Sequence, residues 1–74
     1  MEFVRTGDMK MAIGLVDYLA DGYIERDGEQ IPCQIGYNEY MDAEDNIRCE
    51  AEYIFIKDGI TENGTHYYAE MIAI

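Results

Sequence analysis

The sequence predicts an α+β fold: one N-terminal helix packed on an antiparallel sheet of three to five strands, in a single acidic domain over residues 1–74. Three observations carry that expectation. Apolar residues between Met9 and Asp21 recur at helical spacing. The dipeptides Asp27-Gly28 and Asn63-Gly64 each lie between runs of alternating polarity, the pattern of a tight hairpin. Residues 47–56 alternate with the period of a half-buried strand. A helix laid on one face of an antiparallel sheet satisfies all three.

Taken in order, residues 2–5 fit a short edge strand or an irregular lead-in, and Gly7 ends them. Asp8 is suited to cap a helix in which Met9, Ala12, Ile13, Val16, Leu19 and Ala20 share one face, while Lys10, Gly14, Asp17 and Asp21 share the other. Gly22 suits the position that terminates it. Gly14 costs about 1 kcal/mol relative to Ala in a helix, so burial against the sheet has to hold the segment. Tyr23–Arg26 and Glu29–Ile31 form the first hairpin. Pro32 lacks an amide donor, which makes the second strand an edge strand or interrupts it. Residues 37–41 are open between strand and loop. An acidic turn begins at Asp42, followed by a strand whose inward residues are Ile47, Cys49, Ala51, Tyr53 and Phe55, with Arg48, Glu50 and Glu52 toward water. Asp58-Gly59 bends the chain, and a last strand runs from Thr65 to about Ala73.

Sixteen acids against five Lys and Arg leave a net charge of −11 on 74 residues. A globule of this length is about 30 Å across, and duplex DNA of that length carries on the order of 18 phosphates. The protein thus approaches the charge of a nucleic acid, spread over its whole surface. Repulsion disfavours direct contact with nucleic acid or an anionic membrane, and a basic protein surface is the natural partner. No apolar run reaches the length of a membrane span, and the first residues lack the pattern of a secretory signal, so the expected location is the cytoplasm. Cys33 and Cys49 are then free thiols, Cys49 facing inward as a small apolar residue. At this length the buried fraction is modest, and a homodimer that hides more surface is compatible with it.

Catalytic chemistry finds little to work with. The chain has no Ser and a single His, His66, placed near a turn where a surface role is expected. No glycine-rich phosphate loop is present, and a paired-acid mechanism needs a sheltered pocket that so small a domain hardly offers. The expectation is a protein that is not an enzyme and has no cofactor. Asp42, Glu44 and Asn46 match the start of a calcium loop, but Ile47 stands where the required Gly would be and Tyr53 where the bidentate Glu would be, so no dedicated metal site is expected. Asn63-Gly64-Thr65 fits a glycosylation acceptor, yet its role as a turn is the simpler account.

The remaining constellation is the acids themselves. Glu39, Asp42, Glu44, Asp45, Glu50 and Glu52 crowd one stretch with Arg48 as its single base, and Tyr40 lies among them. Asp17, Asp21, Glu25, Asp27 and Glu29 form a second set. Two of these, Asp17 and Asp21, would sit at the end of the expected helix, where the macrodipole disfavours an anion by about 0.3–1 kcal/mol. Carboxylates on rigid strands accept paired hydrogen bonds from Arg and single ones from Lys, and so can fill a groove shaped for phosphates. Tyr is favoured at interface centres. The plain alternative is a solvated acidic surface that only confers solubility.

In size, charge, lack of catalytic residues and expected α+β pattern, the chain resembles the small acidic inhibitors that phages encode against host defence, including anti-CRISPR proteins and anti-restriction DNA mimics. The resemblance rests on no shared motif and assigns no residue. It implies binding to a CRISPR effector or another nucleic-acid-handling protein in the host cytoplasm, blocking access to DNA or guide RNA. A small homo-oligomeric structural or regulatory module, associating through its apolar sheet face, stands as the alternative.

Overall fold

The computed structural model describes residues 2–74 and contains no helix among them. Six strands form one antiparallel sheet: β1 (Val4–Arg5), β2 (Lys10–Met11), β3 (Tyr18–Arg26), β4 (Glu29–Met41), β5 (Ile47–Ile60) and β6 (His66–Ala73). The order across the sheet is β1-β3-β4-β5-β6, with β2 also pairing to β3 beyond β1. The fold is therefore all-β, and the α+β expectation is corrected.

The error lies in residues 9–21. Their apolar positions satisfy helical spacing, but Met9, Met11, Ile13 and Leu15 also alternate with period two, so periodicity alone does not decide. Non-local pairing does. Residues from Tyr18 onward lie opposite β4 without interruption, from Tyr18↔Tyr37 to Arg26↔Glu29, while Lys10 and Met11 fold back on Leu19 and Tyr18. Gly14 has φ 128, a value a helix cannot use. Gly22 does not end a helix either. It lies within β3 where β1 crosses closely, and a side chain there would run into the Val4 carbonyl.

Both hairpin dipeptides form turns. Asp27 and Gly28 have φ 50 and 80, the doubly positive geometry of a two-residue loop that matches strand twist. Gly64 is also left-handed, at φ 81, and across that turn the Thr61 amide donates to the Thr65 carbonyl at 2.8 Å while the Thr65 amide donates to Thr61 Oγ1 at 3.1 Å. Residues 37–41 belong to β4, which runs through Pro32 and sits in the interior of the sheet, not at its edge. The β4–β5 ladder opens at Cys33, one residue past the proline, so Pro32 stands where β4 has only one neighbour.

The core lies on one face of the sheet. Ile24, Cys33, Ile35, Ile54 and Ile56 are buried there, with Phe3, Ile31, Tyr37, Ala51 and Ile72 packed around them. Burying an Ile side chain contributes roughly 1.5–3 kcal/mol. The expected inward set of β5 is thus only partly right. Gly36 lies opposite Tyr53 and Tyr37 opposite Ala51, which leaves Glu52 as an extra residue in a bulge. The bulge switches parity, so that Ala51 before it and Ile54 and Ile56 after it turn to the same core. Tyr53 and Phe55 take the opposite face and are half-buried, while Ile47 and Cys49 are exposed at the sheet's end. Cys33, not Cys49, is the buried thiol.

Candidate functional site: the acidic end of the sheet

Antiparallel order puts the 42–46 turn at one end of the long strands and the Asp27-Gly28 and 61–65 turns at the other. Thirteen residues of β4 separate the ends, a span of about 40 Å at ~3.3 Å per residue. Glu39, Tyr40, Asp42, Glu44, Asp45, Glu50 and Glu52 lie together at the first end. Asp17 joins them, because its amide donates to the Asn38 side-chain oxygen at 2.9 Å and its Oδ2 accepts the Glu39 amide at 2.9 Å. Glu25, Asp27 and Glu29 lie at the far end. Asp21 is between the two, on the face opposite the core. The structure therefore divides the second set of acids among three places.

Asp42 builds the turn. Its Oδ1 accepts the amides of Glu44 at 2.9 Å and Asn46 at 3.0 Å, and its Oδ2 accepts Arg48 Nε at 3.0 Å. The Asn46 amide first, then Arg48 and the Glu44 amide, hold its carboxyl below the usual range. Asp45 takes the left-handed conformation at φ 62, which a short polar side chain tolerates. Asp42 is thus committed to the turn and occupies Arg48 as well, while Glu44 and Asp45 project from it, exposed.

The acids behind the turn are oriented by neutral donors. The Tyr18 hydroxyl donates to Glu39 Oε1 at 2.7 Å, and Asn38 Nδ2 donates to Glu52 Oε2 at 3.0 Å. The Tyr40 hydroxyl is raised above its ordinary pKa chiefly by hydrogen bonding to Glu50, and that of Tyr18 chiefly by Glu39. Strand alternation places Glu39 on one face of this end and Tyr40 and Glu50 on the other. The carboxylates thus surround the tip, and the bulge at Glu52 breaks the alternation that would carry Glu50 and Glu52 along one face. Sequence reasoning missed Tyr18 and Asn38, whose roles depend on pairing between β3 and β4 that no local pattern reveals. Exposed Met41 and Ile47 stand opposite each other beside the turn.

Opposite the core, Asp21 accepts Lys57 Nζ at 2.8 Å and Gln34 Nε2 at 3.3 Å, and Gln34 in turn accepts the Tyr68 hydroxyl. This polar network joins four strands and leaves Asp21 little freedom to engage a partner. His66 is half-buried, its Nδ1 shielded and without a hydrogen-bond partner, so its expected surface placement holds only in part. No group of three or more His, Cys, Asp or Glu side chains is arranged to hold a metal ion among the described residues. No protein-family model, curated protein or solved structure matches this chain.

Proposed function

We propose that this protein is a non-enzymatic inhibitor whose acidic sheet end occupies a Lys/Arg-lined nucleic-acid groove on a partner protein and keeps nucleic acid out. One observation supports it above the others. Asp17, Glu39, Asp42, Glu44, Asp45, Glu50 and Glu52 converge on one end of the sheet, and the Arg48 guanidinium among them is already paired with Asp42. Hydrogen bonds from Tyr18, Asn38 and the turn amides hold several of these carboxylates in place. Prior ordering reduces the entropy lost when basic side chains close on them. Glu44, Asp45, Glu50 and Glu52 are the principal contacts in this account, with Glu39 and Tyr40 flanking. A CRISPR effector or another nucleic-acid-handling protein has the surface chemistry this end would fit, in keeping with the likeness in size and charge to phage inhibitors of host defence.

The test is capture of partners from host lysate by the wild-type chain and by a variant carrying Glu44→Lys, Asp45→Lys, Glu50→Lys and Glu52→Lys. The wild type is expected to retain a nucleic-acid-binding protein, to lose affinity for it as salt rises, and to compete with that protein's nucleic acid. The variant is expected to retain none. Equal capture by both chains at low salt would overturn the proposal.

A further inference from the structure

The two edges of the sheet are finished differently. On one side, β2 pairs with Tyr18 and Leu19 and β1 with Gly22 and Tyr23, so most of the outer edge of β3 is covered, with residues 24–26 beyond these ladders. On the other, β6 pairs with β5 alone, and its outer edge has no neighbour among the described residues. Native proteins commonly guard such an edge with Lys or Pro, and β6 has neither. Its single charged residue, Glu70, is neutralised by Arg26 at 3.0 Å. In a chain of net charge −11, this leaves an edge with almost no net charge, bordered by exposed Tyr67, Tyr68 and Met71.

The isolated chain also exposes more surface than its mass requires. Its accessible area is 5424 Å², whereas a monomer of 8.5 kDa is expected to expose about 4,700 Å². The excess, about 700 Å², approaches the roughly 800 Å² that each partner buries in a standard interface. The radius of gyration is 13.2 Å, against about 11 Å for a compact chain of this length.

We propose that the free edge of β6 pairs antiparallel with β6 of a second copy of this chain, about a two-fold axis at Met71, joining two sheets into one. The register follows from the strand itself. Lys57 lies opposite Tyr68 and Ile56 opposite Glu70, which leaves Ala69 as an irregularity and Glu70–Ala73 as the regular run. An axis at Met71 puts Met71 against its own mate and Glu70 against Ile72 of the second copy, residues that share a sheet face. It also keeps the two Glu70 carboxylates from standing opposite each other, where like charges would oppose pairing. A second copy fits this edge better than a basic partner does, because the edge offers no anion left unpaired for a cation to recognise. The contact is isologous and closes on itself, so it makes a dimer and not a filament.

This inference is independent of the acidic end, and salt separates the two. Raising salt from about 0.01 M to about 1 M shortens the Debye length from about 30 Å to about 3 Å. That weakens a contact between acidic and basic surfaces but relieves repulsion between two anionic copies. Sedimentation of the full chain at millimolar concentration is expected to give twice the monomer mass, with association at least as strong in high salt. Met71→Glu places two carboxylates on the axis and is expected to raise the dimer dissociation constant by at least about tenfold, while Met71→Leu leaves it unchanged. Amide exchange of the wild-type protein supplies a reading that needs no variant: β6 amides should gain protection on concentration, and those of β1 should not. A monomer at every salt concentration would overturn the proposal. So would a dimer whose β6 amides gain nothing, or a folded Met71→Glu chain that dimerises as tightly as the wild type.

Discussion

Arg26 and Glu70 form an ion pair at 3.0 Å although β4 and β5 lie between their strands. In a flat sheet the two strands would be about 14 Å apart. The contact therefore marks a sheet curled over its own core, its two outer long strands reaching toward each other above Ile24 and Ile56. Position does not make the pair strong. Its side chains are 42% and 47% exposed, and exposed pairs contribute about 0–1 kcal/mol. Arg26→Ala and Glu70→Gln are each expected to lower the urea-derived stability by less than about 1 kcal/mol, because burial of the isoleucines holds the curl. A loss several times larger would mean that the ion pair, and not the core, closes the sheet.

Gly36 tests how the segment before β3 is docked. A side-chain carbon built there would stand 2.7 Å from Val16 Cγ1 and 2.8 Å from Phe55 Cε2. Val16 is buried and is the one large apolar residue of the 9–16 segment that is. Gly36→Ala should therefore overpack this contact and cost about 1–3 kcal/mol, measured by urea or thermal unfolding. A cost near zero would place Val16 elsewhere and reopen the account of residues 9–17.

What the sequence reveals of this fold divides between local and non-local features. Asp27-Gly28, Asn63-Gly64 and the turn at Asp42 are legible because glycine or aspartate chemistry dictates them within a few residues. The segment from Met9 to Asp21 is not, since its apolar residues fit two periods and the choice is made by β4, which lies later in the chain. The bulge at Glu52 is invisible for a related reason. Its effect is a change of parity, so alternation correctly assigns Ala51 inward and, carried across the bulge, wrongly assigns Tyr53 and Phe55 there in place of Ile54 and Ile56. The same alternation assigns Cys49 inward, but it is exposed, beyond the end of the core. The acidic stretch from Glu39 to Glu52 could be read directly, whereas the arrival of Asp17 beside it depends on the pairing of β3 with β4.

The two thiols should differ sharply in reactivity. Cys33 is fully buried, and burial pushes its thiol pKa up. Cys49 is exposed, though partial desolvation and then the Glu39 and Asp17 carboxylates raise its pKa as well. Since the thiolate is the reacting form, Cys49 should react with a disulfide reagent more slowly than free cysteine near pH 8. Cys33 should react only after unfolding. Glu39→Gln should accelerate Cys49 by removing one of the anions that disfavour its thiolate. Labelling followed by mass spectrometry counts the modified sites, and two equally fast thiols in the folded chain would contradict the burial of Cys33.

Asp21 gives the acid dependence of stability a specific source. Its carboxyl lies below the usual range, chiefly because it accepts the Lys57 ammonium at 2.8 Å, with Gln34 adding to the effect and partial burial opposing it. A carboxyl with a lower pKa in the folded than in the unfolded chain binds fewer protons when folded. Its contribution is present at neutral pH, begins to fall as pH drops toward the unfolded value near 4, and is lost once pH passes below the folded value. The side chain is 54% exposed, so solvent screening limits the contribution to about 1 kcal/mol or less. Asp21→Asn should thus be less stable than the wild type at pH 7, and the difference should vanish toward strongly acid pH. Lys57→Met should show the same convergence, because in that chain Asp21 has lost the partner that lowers its pKa. Chemical unfolding between pH 2 and pH 7 measures it. A difference that stays constant across this range would assign the effect of Asp21→Asn to packing, not to the Asp21–Lys57 charge pair that ties β3 to β5 across β4.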